Sequence, residues 1–584
     1  MPCHLHFSHL ALRFSPQRAI LLRKENIMKQ RSKVCSASGI PSVSSRRGFL
    51  GYLGISPGLA GLAGAGLLGG LQAPRAFANE GPLSPEQRRH RAFTIRRDAA
   101  ILQRDQPENA SIANSDEQLY ANRIASFTKG LPHNDLGEAD LNAYNAMIRA
   151  VNSGLWSDFE AIPLGGTAKL ANPQSSYCFS MEGADAAAIP VAPAPAFSSA
   201  EMAAEIAANY WYAITRDVPF SQYASDPLIN QAAADLNKLS DYRAPKVNGK
   251  VTPDVIFRGD TPGDLTGPYI SQFLLKTIPM GGAQLPQFYR TSVQGDDYMT
   301  SYADWLKVQK GAANGSNVFD TVPRYIRNNR DLAHYLLVDW AGQGNMQAAL
   351  LLLSYGNPAL SPNNPYLRSA TQAGGITFGG MDVLDVVSRA PDSLRAAFCQ
   401  KWLVHRRLRP ETFAGRIHNH VTGAAKYPIH SDILNSAALK MTFSAHGTYL
   451  LPMPYPAGSP MHPSYPAAHS AVVGMGVTLL KAFFNESFVI PSPVVPSDDG
   501  LSLVPYTGAE LTVGGELNKL ASNVSLGRLA GGVHYRTDGT EGVRLGEEIA
   551  LSILRDIATI YNEEFPGFTL TRFDGTAVTI CPNC

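Results

Sequence analysis

Apolar positions in this sequence recur mostly at the three-to-four-residue spacing of a helix, and the two-residue alternation of a half-buried strand is scarce. Three long segments are predicted to be helical: residues 79–120, 185–215 and 328–355. Loops dense in Pro, Gly, Asn and Asp separate such segments at residues 156–180, 241–270 and 355–380. The pattern predicts a mostly helical protein with long surface loops.

The N-terminal region differs in charge from the rest of the chain. The whole chain has a net charge of +2, but residues 1–78 contain ten Lys/Arg and one Glu, which leaves a net charge of −7 for the remainder. Arg46-Arg47 precedes an uncharged, Gly- and Ala-rich stretch at residues 48–74, and Ala-Phe-Ala follows at residues 76–78. This order is typical of a cleaved twin-arginine export signal, with a transmembrane anchor as the alternative.

The export signal predicts a periplasmic or extracellular protein. Met28 is the more usual start for such a signal, so we interpret residues 1–27 as an over-called start. No apolar run of spanning length follows residue 78, and no stable membrane insertion is expected after processing. We divide the rest into an N-terminal helical part, residues 79–380, and a C-terminal helical part, residues 381–584.

Composition excludes several classes of protein. A chain that is 45% hydrophobic and 17% charged is not disordered throughout, and six cysteines in 584 residues do not make a disulfide scaffold. The small net charge argues against a nucleic-acid partner. Cys581 and Cys584 lie three residues apart, which indicates either a local disulfide or two free thiols.

Histidines are concentrated in the C-terminal part. Eleven follow residue 78, and eight of them lie between residues 400 and 534: His405, His418, His420, His430, His446, His462, His469 and His534. Three segments of this region combine histidine with cationic side chains, and each is a candidate part of an anion site.

The first segment contains Lys401 and Arg409. Residues 393–408 are predicted to form a helix that Pro410 terminates. Eight residues along a helix place the two side chains on one side, about 80° apart, so both can hold one oxyanion. The alternative is a solvated basic helix face.

The second segment places His462 and His469 around a Pro-rich turn. The apolar run that begins at Ala467 predicts a buried helix, whose first turn would direct free N–H groups toward an anion. The alternative is a pair of structural histidines.

The third segment contains Arg528, His534 and Asp538. Gly531-Gly532 is predicted to break the helix, so Arg528 and His534 can converge although they are six residues apart. His534 and Asp538 have i, i+4 spacing on the next helix, which allows the carboxylate to hold one imidazole nitrogen. The alternative is a helix-capping Asp beside a packed His.

Together the three segments resemble a family signature. The patterns K-x7-R-P, H-P-S-Y-P-x-x-H and R-x5-H-x3-D resemble those of the vanadium-dependent haloperoxidases, which share them with the acid phosphatases of the same superfamily. The surrounding residues are similar to the bromoperoxidase branch. The resemblance implies an all-α fold of two four-helix bundles with long loops, and vanadate as the cofactor.

The resemblance also assigns roles to residues. It implies that His534 binds the metal. Vanadate oxygens would be held by Lys401, Arg409, Arg528 and the backbone N–H of Ala468. Ala467 belongs to the same binding site, at the position where relatives have a serine. His469 would be the acid/base in peroxide binding, His462 the second histidine of the bromoperoxidases, and Asp538 the residue that orients His534.

Three positions depart from the family pattern. Where relatives have Pro-Ser-Gly-His, this chain has Pro466-Ala467-Ala468-His469. Losing the serine hydroxyl is expected to weaken vanadate binding, and Ala468 keeps a usable N–H only if its φ is not positive. Phe398 lies where relatives have Arg or Trp, which leaves halide preference open.

The resemblance predicts a haloperoxidase that oxidises halide, bromide favoured, with hydrogen peroxide and halogenates a small organic acceptor. Two alternatives stay open: an acid phosphatase with His534 as nucleophile, and a repurposed or inactive anion-binding homologue. A homo-oligomer is a further expectation, because relatives of this branch are often oligomers.

Overall fold

A computed structural model describes residues 81–107 and 110–581. The predicted export signal lies outside these residues. The α-helices are α1 Pro85–Arg104, α2 Asp116–Leu119, α3 Leu141–Ser153, α4 Trp156–Glu160, α5 Ala200–Ile214, α6 Pro227–Leu236, α7 Tyr302–Gln309, α8 Asn329–Val338, α9 Gln343–Ser354, α10 Gly380–Ser388, α11 Ser393–Cys399, α12 Pro410–Thr422, α13 Ser431–Asn435, α14 Ala437–His446, α15 Ala468–Phe483, α16 Val513–Ala530 and α17 Arg536–Ala558. The prediction of an all-α protein with long loops is confirmed.

The strands form three small antiparallel hairpins on the helical body. They pair as β1 Ile278–Met280 with β2 Ala283–Leu285, β3 Val494–Pro496 with β4 Leu503–Pro505, and β5 Phe568–Thr571 with β6 Ala577–Ile580. No helix within the described ranges is both long enough and apolar enough to cross a membrane. Cys581 is disulfide-bonded, so it is not a free thiol.

Two of the predicted helices are shorter than expected. Helix α1 ends at Arg104, and the chain is helical again only at α2, rather than throughout residues 79–120. Helix α5 begins at Ala200 behind the N-cap Ser199, because the prolines at the start of residues 185–215 keep the backbone extended.

The prediction of one helix over residues 328–355 is wrong. Helix α8 ends at Val338 and α9 begins at Gln343, with Gly342 between them at φ +95°. A left-handed residue cannot continue a right-handed helix, so the chain turns here. The turn leaves Asp339 outside both helices.

The helix predicted over residues 393–408 extends only to His405 and changes from α- to π-helical along its length. Helix α11 ends at Cys399, a π-helical turn follows over Gln400–His405, and Arg406 adopts φ +26°. Pro410 begins α12 instead of terminating a helix, in the N1 position that suits a residue without an N–H. Lys401 and Arg409 therefore do not share a helix face.

Two large hydrophobic cores lie within the body, as expected for two helical bundles. One is built mainly from α8–α11 and α15–α17, and the other mainly from α5, α6 and α12–α14. Both cores take residues from either side of residue 380. The proposed division at residue 380 stays a prediction.

Helices α15 and α17 pack unusually closely. A Cβ at Gly474 would lie 2.4 Å from the carbonyl oxygen of Val543, and one at Gly546 would lie 2.1 Å from that of Ala471. Glycine at both positions lets the two backbones touch. The contact brings the start of α15 against the start of α17, where the N–H of Ala467 donates to the carbonyl of Asp538 at 2.8 Å.

Candidate active site

Lys401, Arg409 and Arg528 are buried in one region at the meeting point of α12, α15, α16 and α17. Their exposed fractions are 0%, 0% and 4%. Arg409 and Arg528 both lower the pKa of Lys401, and Arg528 also lowers the pKa of Arg409, so the three side chains lie within electrostatic reach of one another. We call these three side chains and the residues around them the oxyanion pocket.

Lys401 enters the oxyanion pocket from the π-helical turn. Its Nζ donates to the carbonyls of Pro463 and Ser464 at 3.0 and 2.6 Å. The i to i−5 bond from the N–H of Arg406 to the carbonyl of Lys401, 3.1 Å, closes the turn that aims this side chain inward.

Arg409 is the N-cap residue of α12 and links two segments of the site. Its Nε donates to the carbonyl of His462 at 2.9 Å, and its Nη1 donates to the carbonyl of Val533 at 2.7 Å. Nη1 also lies 3.0 Å from Nε2 of His534. The three sequence segments therefore meet at this guanidinium.

Arg528, near the end of α16, donates to the carbonyl of Leu336 in the last turn of α8. Its Nε is buried and has no hydrogen-bond partner among the described residues. A buried donor of this kind is costly unless a ligand or water accepts from it.

None of these three cations forms a direct ion pair with a described carboxylate, although Asp538 acts on Lys401 and Arg409 from a greater distance. Within the described ranges, no carboxylate oxygen lies within the 4.0 Å ion-pair distance of any of them, and their acceptors are mostly backbone carbonyls. Burial, reinforced by Arg409 and Arg528, holds the pKa of Lys401 well below its usual range. Burial lowers the pKa of Arg409 to about 9, with Arg528 adding to the effect. An anion in the pocket would relieve this repulsion.

His534 and Asp538 form a buried pair as predicted. Nδ1 of His534 is 2.9 Å from Oδ2 of Asp538. Because a carboxylate only accepts and a guanidinium only donates, His534 has its proton on Nδ1 and presents the Nε2 lone pair toward Arg409. Burial, Arg409 and Lys401 hold the pKa of His534 well below its usual range, so the ring is neutral.

His534 precedes α17 rather than lying on it, which corrects the expected helical spacing. Asp538 is the N3 residue of α17, and its Oδ2 also accepts from the N–H of Tyr535 at 3.1 Å. The helix-capping alternative is therefore also true, and one carboxylate both caps α17 and orients the imidazole. Burial opposes ionisation of Asp538, but Arg407, His534 and Ser464 outweigh it and lower its pKa.

His462 lies on the other side of Arg409. Its Nδ1 is 2.9 Å from Nη2 of Arg409, and its ring centroid is 5.0 Å from that of Phe398. Burial, then Arg409 and Lys401, hold the pKa of His462 well below its usual range. The aromatic ring of Phe398 therefore packs against a neutral imidazole at an interplanar angle of 46°.

His469, in the first turn of α15, lies at the edge of the oxyanion pocket. Its side chain is 27% exposed, and Nε2 is 3.1 Å from Oδ1 of Asp339. Burial and Arg528 lower its pKa, while Asp339 acts in the opposite direction. His469 is thus a neutral base with one nitrogen held by a carboxylate and access to solvent.

The two alanines before His469 have ordinary backbone angles. Ala467, the N-cap of α15, has φ −72° and ψ 125°, and Ala468 begins the helix and is not among the residues with positive φ. The N–H of Ala467 is taken by Asp538, whereas that of Ala468 belongs to the free first turn of α15. Ala467 provides no side-chain cap, so it contributes neither hydroxyl nor N–H to the pocket.

Three contributing residues were not predicted. Arg407 donates to Asp538 at 2.8 Å and to Glu205 at 2.8 Å, and Ser464 donates to the second oxygen of Asp538. Arg407 lies two residues before Arg409, and Ser464 lies two residues after His462. Their places inside the motifs could have identified both as candidate site residues. Asp339 gives no such signal, because it reaches His469 only through the turn between α8 and α9.

Comparison with known proteins extends over nearly the whole chain. A family model described as the VCPO second helical-bundle domain matches residues 436–563. The vanadium-dependent bromoperoxidase of Ascophyllum nodosum is 33% identical over 527 residues, which cover 85% of this chain and 93% of that protein. The vanadium-dependent bromoperoxidase of Corallina pilulifera is 34% identical over 593 residues, covering 85% and 99%.

A solved structure has the same fold. The homohexameric second vanadate-dependent bromoperoxidase of Ascophyllum nodosum matches with a TM-score of 0.83 at 28% identity, covering 91% of this chain and 95% of that one.

Proposed function

The chain belongs to the vanadium-dependent bromoperoxidase family, and from this premise we propose that it oxidises bromide with hydrogen peroxide at a vanadate held in the oxyanion pocket. The product is a hypohalous-acid equivalent that halogenates small organic acceptors. The observation behind the proposal is the set of three buried cationic side chains that form no direct ion pair with a described carboxylate, an arrangement that an external anion would stabilise.

The residues present suit vanadate. The unpartnered Nε of Arg528, the ammonium of Lys401 and the guanidinium of Arg409 are donors for oxyanion oxygens. The N–H of Ala468 at the start of a 16-residue helix adds a donor and a favourable dipole. The lone pair on Nε2 of His534 is the one neutral nitrogen ligand in this set.

When bound, vanadate supplies a Lewis-acid centre that activates peroxide toward halide without a change of oxidation state. The chain supplies orientation and proton handling. Asp538 keeps the proton on Nδ1 of His534 and leaves Nε2 as a ligand. His469, neutral and partly exposed, accepts a proton from incoming peroxide, and Asp339 stabilises the imidazolium that results.

Phosphate-ester hydrolysis is the second candidate function. The same pocket suits a phosphoryl group, and His534 has the oriented, neutral imidazole that a histidine nucleophile needs. A third candidate function is oxyanion binding without turnover, because Ala467 has no hydroxyl to help hold the anion.

One paired assay separates these functions. The mature chain is incubated with vanadate, peroxide and bromide while bromination of a dione is followed, and with an aryl phosphate without vanadate. We expect bromination that His534→Ala abolishes and His418→Ala, outside the pocket, retains. Hydrolysis without bromination would favour the phosphatase, and the absence of both would favour a binding protein.

We also propose twin-arginine export to the periplasm or cell exterior, supported by Arg46-Arg47 and the uncharged stretch that follows. Replacing both arginines by lysine is expected to retain the chain in the cytoplasm; unchanged export would contradict this route.

A homo-oligomer is proposed because the solved relative is homohexameric. Light scattering of the mature chain tests it, and a monomer would overturn it.

A further inference from the structure

A buried ion pair lies beside the loop that leads into the oxyanion pocket. Nζ of Lys129 is 2.6 Å from Oε1 of Glu411, and the two side chains are 2% and 1% exposed. The same Nζ donates to the carbonyls of Ala457 and Ser459 at 2.8 and 2.7 Å. One ammonium group thus binds the second residue of α12 and two carbonyls of a loop far along the chain.

The carboxylate of Glu411 is equally well occupied. Its Oε2 accepts from the N–H of Ser459 at 2.7 Å, and Oε1 also lies 3.3 Å from Nε2 of Gln309. Gly458, at φ +60°, fits against it so closely that a Cβ would lie 2.2 Å from Oε2. Residues 457–459 therefore wrap around Glu411 with no spare space.

This loop continues directly into the pocket. The carbonyl of His462 accepts from Arg409, and those of Pro463 and Ser464 accept from Lys401. Glu411 itself is two residues beyond Arg409. The ion pair therefore fixes the loop to the helix start that presents Arg409, and the loop in turn supplies the carbonyls that hold two of the three pocket cations.

We infer that Lys129 and Glu411 are positioning residues of the oxyanion pocket: they hold residues 457–464 in the conformation that places Lys401 and Arg409 for anion binding. They touch neither the anion nor peroxide. The inference rests on the proposed function only in taking vanadate as the anion.

Glu411→Gln is a sharp test. In the wild type both carboxylate oxygens face donors, Lys129 and Gln309 on one side and the N–H of Ser459 on the other. A Gln side chain replaces one acceptor by an NH2 group, so in either orientation a donor meets a donor. The loop is expected to loosen without any change in side-chain size.

Glu516→Gln is the matched control. Glu516 pairs with Lys519 at side-chain exposures of 2% and 0%, and its second oxygen accepts from the N–H of Gln272 at 2.7 Å. The substitution creates the same donor conflict in an equally buried pair that does not contact residues 457–464. Any general loss of stability is thereby separated from an effect on the pocket.

Two measurements are made on the full mature chain without bound vanadate. Amide hydrogen exchange of residues 457–464 is expected to accelerate in Glu411→Gln and to stay at the wild-type rate in Glu516→Gln. The dissociation constant for orthovanadate, measured by calorimetry, is expected to rise about tenfold in Glu411→Gln and to change less than about twofold in the control.

Gly458→Ala provides a second route to the same loop. Its Cβ would displace the Glu411 carboxylate, whereas Gly447→Ala places an equally strained residue, at φ +69°, where nothing lies within 4 Å. Only Gly458→Ala should reproduce the Glu411→Gln phenotype. This comparison decides the matter if Glu411→Gln fails to fold.

The inference would be overturned if residues 457–464 exchanged at the wild-type rate in both Glu411→Gln and Gly458→Ala. It would also be overturned if these variants bound vanadate as tightly as their controls. Failure of the proposed function would give a different result. The wild type would then not brominate, but the hydrogen-exchange rate of residues 457–464 would still rise in Glu411→Gln and not in Glu516→Gln. The positioning role would then stand.

Discussion

Two regions of this molecule bury arginine to the same depth but neutralise it differently. In the first, which we call the arginine cluster, Arg216 and Arg330 are each 1% exposed and share Asp297, at 2.5 and 3.1 Å. Arg330 also pairs with Asp217 at 2.5 Å. In the oxyanion pocket, Lys401 and Arg409 are buried just as completely but contact backbone carbonyls and imidazoles instead.

The difference indicates two uses of buried charge. The arginine cluster contains its own counter-ions, so its charges cancel within the fold and serve structure. The cations of the oxyanion pocket have no direct carboxylate partner, so their burial costs stability in the free protein. A bound anion would lower that cost. Depth of burial therefore does not distinguish a site from a structural ion pair; the identity of the acceptors does.

The largest effect is expected from Asp297→Asn in the arginine cluster. Removing the shared carboxylate leaves Arg216 buried without its main partner, and the free energy of unfolding should fall by about 3 kcal/mol. Urea unfolding measures this loss. Asp105→Asn, in an exposed pair with Arg104, is the control, and an equal loss in both variants would contradict the structural role.

Lys401→Met should behave in the opposite way. Removing a buried cation that has no carboxylate partner should change the free energy of unfolding by no more than about 1 kcal/mol, because relief of desolvation offsets two lost hydrogen bonds. Vanadate affinity should fall by about 100-fold, or roughly 2.7 kcal/mol. A stability loss as large as that of Asp297→Asn would erase the contrast between the two regions.

Acid should destabilise the pocket region through His405. Burial, then Arg406 and Arg407, lower its pKa from 6.5 to about 4. Between these two pH values His405 is protonated in the unfolded state and neutral in the folded state. Stability from this residue is complete above pH 6.5 and is lost as the pH falls toward 4.

The test is His405→Leu, because neither ring nitrogen has a hydrogen-bond partner among the described residues. Between pH 7 and 4.5 the variant should lose about 2 kcal/mol less unfolding free energy than the wild type. The exposed His446, replaced in the same way, is the surface control. Parallel curves for the wild type and His405→Leu would show that His405 does not control acid stability.

The smallest effect is expected from Ala467→Ser. A serine N-cap for α15 should raise the free energy of unfolding by about 1 kcal/mol, since the present N-cap has no side-chain bond. Where the hydroxyl turns toward the anion instead, vanadate should bind about tenfold more tightly. Urea unfolding measures the change in stability, and calorimetry measures the change in vanadate affinity. No change in either quantity would show that a hydroxyl at this position contributes to neither.

The sequence predicts those features of the site that depend on local signals. The start of α15 follows from prolines and an apolar run, and the break after Ala530 follows from Gly531-Gly532, with Gly532 at φ +68°. The family resemblance implies that Arg409 and His534 share one site, and in the fold Nη1 of Arg409 lies 3.0 Å from Nε2 of His534.

Other features depend on tertiary contacts that no local pattern encodes. The turn that isolates Asp339 interrupts an otherwise continuous apolar pattern, and its use becomes clear only from the contact with His469. The path from Lys401 to Arg409 was predicted as one helix because the propensities allow it. In the fold, Arg406 takes φ +26° and is held by Glu117 at 2.7 Å and by the carbonyl of Trp402 at 2.8 Å.

The π-helical turn at residues 400–405 has a consequence for sequence length. Such a turn holds one more residue than an α-helical turn, so deleting a residue there would restore regular winding and rotate Lys401 relative to Arg409 by about 100°. An insertion would also change their relative position. The interval between these two residues should therefore tolerate substitution far better than any change in its number of residues.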